Sequence, residues 1–143
     1  MFDEGGDLFV FHAKTRSYMI PRLSEALKGR EIVASEVSTL IYIHDNPGCS
    51  PKDICYSIAV DKSIISNRVK SLIDRGIVED HSKNKRTYKL YLTKKGITEH
   101  DYARNALKDI NDSLTVNMTE RQKETFIKLM KKITEVAELG YKY

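Results

Sequence analysis

The chain is poor in the residues that most enzymes and metal sites are built from. It holds two cysteines, Cys49 and Cys55, with no CxxC pair and no histidine cluster beside them in sequence. A structural zinc site is therefore not expected. A disulfide between them is not expected either, because Cys49 falls in a loop and Cys55 in the helix that follows. A redox-sensing thiol is the rival reading. No phosphate-cradling glycine loop, HExxH or GxSxG pattern occurs, and no paired acid/base constellation stands out. Catalysis and a bound cofactor are accordingly not expected. No apolar run approaches the ~20 residues that span a bilayer. The first residues, MFDEGGDLFVF, are acidic rather than basic, unlike a secretory signal, so a cytoplasmic protein is the expectation. Internal repeats and low-complexity stretches are missing as well.

What remains is a chain of 143 residues, 41% hydrophobic and 31% charged. That is enough for one packed domain and too little for two ordinary ones. The net charge is only +4, but it is unevenly placed. Residues 61–96 carry ten Lys/Arg against four acids (Asp61, Asp74, Glu79, Asp80), a net of +6, so the rest of the chain nets −2. Runs of Lys and Arg are ordinarily a solvated face. Confinement to about a quarter of the chain points instead to duplex DNA.

The periodicity predicts a mainly α fold with a small β-hairpin. A first helix covers 8–28, with Pro21 expected to start, stop or kink it and Gly29 to end it. A second covers 35–45, opened by Ala34 or Ser35 with Ser38 giving a partial capping signal, and stopped at Asn46-Pro47-Gly48. A third covers 51–59, with Ser50 as N-cap, Pro51 at its first position and Asp53 in its first turn. Asp61 caps a fourth helix, 62–75. Its apolar stripe is Ile65, Val69, Leu72 and Ile73, and Ser63, Asn67, Lys70 and Asp74 fall on the opposite face. Gly76 ends it. A strand then starts at Ile77-Val78, HSKNKR makes a polar tip, and Tyr88, Leu90 and Leu92 alternate with Lys89 and Tyr91 as the return strand. Thr93 caps a long helix to about 116. Thr119 and Gln122 form a capping box for a last helix to about 139.

Helix, tight turn, helix and hairpin make a winged helix-turn-helix over about 34–96. Small polar side chains at the start of the fourth helix suit close entry to a major groove. Ser and Asn can bond base edges or phosphates, and Ile64 can touch a thymine methyl. The cationic tip, Lys83, Lys85 and Arg86, can reach a minor groove. The helices at 8–28 and 97–139 carry apolar stripes too long for so small a winged part to bury, so they are expected to make a homodimer. Packing within a monomer is the alternative.

The stretch VDKSIISNRVKSLIDRGIVED, followed by KNKRTYKLYLTKKG, resembles the recognition helix and wing of the MarR family of bacterial winged-helix regulators. The resemblance runs from about residue 8 to 139 in element order, and its specific part is 60–96. It implies a homodimeric DNA-binding regulator, usually a repressor, on a pseudo-palindromic operator. It places Ser63, Ile64, Ser66, Asn67 and Arg68 in the major-groove segment and Arg86 at the wing tip. Asn84 stands where the family usually has an acid that orients that arginine, and Asp80 where a base is common. The resemblance also implies a small aromatic or anionic effector between the dimer helices and the winged part. Phe11, His12, Arg16, Met19, Tyr42 and Tyr56 are the expected lining, although aromatics at helical spacing are often core. The peroxide-sensing branch carries its cysteine near the start of the chain, where this one has none. A winged helix used for protein contacts is the alternative from another class.

Overall fold

A computed structural model of the protein describes residues 6–142 apart from Ala59 and Lys85. Its order is α1 (Leu8–Ala26), a 3-10 turn at Ala34–Glu36, α2 (Val37–Asp45), α3 (Pro51–Ile58), α4 (Lys62–Asp74), β1 (Val78–Asp80), β2 (Leu90–Leu92), α5 (Lys94–Leu114) and α6 (Glu120–Lys142). The fold is mainly α with a two-stranded antiparallel hairpin, as the periodicity predicts.

Local chemistry sets most of the element starts. Asp61 accepts from the Ser63 N–H at 3.2 Å and opens α4. Ser50 and Asp53 cap α3 reciprocally: the Asp53 N–H donates to Ser50 Oγ at 3.2 Å, and the Ser50 N–H to Asp53 Oδ2 at 2.9 Å. Thr119 and Gln122 do the same for α6. Thr93 caps α5 by accepting from the Gly96 N–H at 3.0 Å, and its hydroxyl donates to the carbonyl of Gly76. A Cβ on Gly96 would stand 2.1 Å from the Ile77 carbonyl oxygen. The LTKKG sequence thus joins a cap to a residue small enough for α5 to cross the start of the wing. Gly76 ends α4 at φ +72°, the left-handed conformation that favours glycine.

Two element boundaries differ from expectation. Of the roles open to Pro21, starting or stopping a helix is ruled out, because α1 runs continuously from Leu8 to Ala26. Pro21 is exposed, so water can take the Ser17 carbonyl that loses its donor. Ser35 and Ser38 do not cap α2. The chain instead enters α2 through the 3-10 turn, at whose start the Val33 N–H donates to Glu36 Oε1 at 3.0 Å.

One core lies under the winged part. Leu40 and Ile43 of α2, Ile54 of α3, Ile65, Val69 and Leu72 of α4, and Val78 and Leu90 of the hairpin are all at most 1% exposed. Buried ion pairs frame it. Arg75 at the end of α4 grips buried Glu36 through two nitrogens and also donates to the Glu31 carbonyl. Arg30 makes a two-pronged bond to buried Glu99 of α5, at 2.9 and 3.1 Å. Helix α5 also buries His100, Ala103 and Ile110, while its Ile97, Tyr102 and Leu114 stay exposed. Helix α6 is different: Phe126, Leu129, Met130, Ile133 and Val136 are all exposed.

Candidate nucleic-acid interface

Helix α4 is pinned from beneath by Ile65, Val69 and Leu72, so its opposite face is fixed in direction. Ser63, Ile64, Asn67 and Lys70 are exposed on it, Ile64 at 49%. Ser66 is half-buried at its edge. Arg68 points elsewhere: it is half-buried, and its Nη1 donates to Thr39 Oγ1 of α2 at 3.2 Å. Major-groove contact from Arg68 would have to break that bond.

The wing pairs Val78 with Leu92, Glu79 with Tyr91 and Asp80 with Leu90. A further bridge joins Cys49 to Leu90, so the loop before α3 lies against the hairpin as a partial third strand. Asp80 clips the strands together. Its carboxylate accepts from the Ser82 N–H at 2.9 Å, the Ser82 hydroxyl at 2.8 Å and the Lys89 N–H at 3.0 Å. Partial burial pulls the Asp80 pKa up, but the bonds from Lys89 and Ser82 outweigh it and hold the carboxyl below its ordinary range. The acid that interrupts the basic run is therefore a structural part of the wing. Sequence reasoning missed this; the signal was Ser82 two residues on, an Asx-turn spacing. Asn84 shapes the tip in a similar way. Its Oδ1 accepts from the Arg86 N–H and from the Thr87 hydroxyl, each at 3.2 Å, so it holds the Arg86 backbone and leaves the guanidinium unheld. Lys83 and Arg86 are exposed. Lys85 lies outside the described residues.

The charge count shrinks on folding. Arg75 and Lys95 are paired with Glu36 and Glu31, acids outside the basic segment. Among the described residues, Lys62, Lys70, Lys83, Arg86, Lys89 and Lys94 are exposed and carry no ion pair. They supply the positive field around α4 and the wing.

The expected effector residues divide. His12, Arg16 and Met19 meet in a cleft of about 440 Å³ between α1 and α2, with Leu23, Val37, Ile41 and Arg68 also in its wall. Tyr42 and Tyr56 line a separate polar cavity of about 340 Å³ with Asp53 and Glu138. Burial first, then the Asp53 charge, raises the Tyr42 phenol, so it stays neutral. Phe11 lines neither. Both cysteines are buried, Cys49 included. Burial, helped by Asp53, pushes the Cys49 thiol up to about 11, and burial raises Cys55 too. Such thiols are protonated at neutral pH and poor targets for oxidants.

The order and packing of these elements define a winged helix-turn-helix. Residues 33–87 match the model of the MarR family. Over 101 residues the chain is 28% identical to the HTH-type transcriptional regulator BilQ of Clostridium symbiosum (strain WAL-14163), covering 69% of this chain and 70% of that one. A crystal structure of MarR shares the fold at TM-score 0.82 and 22% identity, covering 96% and 95% of the two chains. A Mycobacterium tuberculosis MarR family protein solved in complex with DNA shares it at TM-score 0.69 and 18% identity, covering 89% and 97%. The same protein solved with salicylic acid gives TM-score 0.69 at 19% identity, covering 89% and 96%. Over residues 33–87 the chain is thus similar to the MarR family, and over nearly its whole length it shares the fold of solved MarR structures.

Proposed function

We propose that the protein is a ligand-responsive repressor that binds a pseudo-palindromic operator as a homodimer. The observation that carries the reading is the outward face of α4, where Ser63, Ile64, Asn67 and Lys70 stand clear of the core. A dimer would set two copies of α4 in successive major grooves about one helical turn (~34 Å) apart, with the wings over flanking minor grooves. Ser66 borders the reading face, and Lys83, Lys85 and Arg86 would supply phosphate and minor-groove contacts. The exposed apolar residues of α1, α5 and α6 support dimerisation, since a contiguous apolar face of that length is rarely left to water.

The cleft at His12, Arg16 and Met19 suits a small aromatic anion: apolar walls hold the ring, and two guanidinium groups, Arg16 and Arg68, attract the charge. The salicylic acid bound to the Mycobacterium tuberculosis relative is of that class. Arg68 gives the cleft a route to DNA. It belongs to α4 and is held by Thr39, so a carboxylate that drew it away would loosen the tie between α2 and the reading helix. The buried, protonated thiols disfavour a cysteine switch.

Selection of DNA from random fragments by the purified protein tests the reading. The expected product is an inverted repeat bound with a slope of about −0.9 per phosphate neutralised in log K against log salt. Recovery of no preferred sequence, with affinity flat across salt, would remove it in favour of a protein-binding winged helix.

A further inference from the structure

The winged part and α5 meet at two histidines for which DNA binding has no use. His44 stands in the last turn of α2 and His100 in the first two turns of α5. Their rings are stacked, with centroids 3.8 Å apart and planes 9° from parallel. Each ring has a carboxylate beside its Nδ1: Asp45 Oδ1 lies 2.9 Å from His44, and Asp101 Oδ1 3.0 Å from His100. The Asp101 oxygen and His100 Nδ1 thus sit side by side on one edge of that ring, an arrangement that two ligands of one ion can share once the Nδ1 proton is displaced. The opposite edge, at Nε2, is buried and has no hydrogen-bond partner among the described residues. One donor atom from each of His44, His100 and Asp101 lies within 4.8 Å of the other two.

We propose that His44, His100 and Asp101 form a site for a divalent transition-metal ion of the zinc class, tying α2 to α5. Two imidazoles and a carboxylate suit Zn²⁺ rather than Ca²⁺ or Mg²⁺, which prefer oxygen alone. Three protein ligands leave a fourth position for water. Asp45 would act behind His44, orienting its ring and raising its basicity. Stacked rings hold their lone pairs in two near-parallel planes, so both can meet one ion only if the stack opens. His44 is the ring free to swing, because its side chain is 44% exposed against 5% for His100.

Titration of the untagged full-length chain with Zn²⁺ against a chelating competitor tests the site, with bound Co²⁺ followed by its visible absorption. One Zn²⁺ per chain is expected, with affinity falling by at least about tenfold in His44→Ala and in Asp101→Asn. Both substitutions fall on exposed side chains, so loss of fold does not confuse the result. Thermal melting should rise with Zn²⁺ in the parent and not in His44→Ala. Absence of stoichiometric binding at micromolar Zn²⁺, or a His44→Ala protein that binds like the parent, would overturn the proposal.

Discussion

Helix α4 and the wing carry neighbouring parts of one basic segment, yet they are held in opposite ways. Helix α4 is set by apolar burial: Ile65 and Leu72 are 0% exposed, and Val69 1%. The wing beyond its two short strands is set by polar contacts, chiefly the three bonds to Asp80 and the two to Asn84. Close packing allows a helix few alternatives, because any tilt opens voids. A hairpin tip held by individual hydrogen bonds, each worth about 0.5–1.5 kcal/mol net, can adjust locally. The first arrangement suits base reading, which needs fixed geometry. The second suits phosphate and minor-groove contact, which tolerates variation.

The comparison is easiest to break at the helix. Ile65→Ala should cost about 2–5 kcal/mol of global stability, read as an earlier urea midpoint with an unchanged slope. DNA affinity should fall with the folded fraction. A loss well under 1 kcal/mol would mean that burial is not what sets α4.

Asp80→Ala should act on the wing alone. We expect a global loss of about 1–2 kcal/mol at most, with faster amide exchange at Ser82 and Lys89 and unchanged protection in α4. The pH dependence follows from the lowered Asp80 pKa. A group depressed on folding adds stability above its ordinary value of 3.8, and that stability is lost as pH falls through the lowered value. Wing protection should therefore fade only in strong acid. Fading near neutral pH instead would contradict the role given to Asp80.

How much of this was legible in the chain depended on sequence distance. Asp61, Thr93 and the Thr119–Gln122 box were readable because a cap joins residues two or three apart. The outward face of α4 was readable because one stripe, Ile65, Val69 and Leu72, fixes the rest of the wheel. The Arg75–Glu36 and Arg30–Glu99 pairs were not, since they join residues 39 and 69 positions apart. Arg75 therefore counted as a free cation when folding spends it inside the domain. Arg68 was placed with its neighbours by the family resemblance, whereas packing turns it toward Thr39. The expected effector set was divided for the same reason: Met19 and Tyr42 both looked like lining, and only tertiary structure separates their cavities.

Division of labour between helix and wing is the central claim, and equilibrium binding to the selected operator and to a scrambled duplex, across a salt series, tests it most directly. Asn67→Ala should change the ratio between the two duplexes and leave the salt slope alone. Arg86→Ala should weaken both duplexes alike and reduce the slope by about 1. The opposite pattern, with Arg86→Ala altering sequence preference and Asn67→Ala binding like the parent, would contradict it.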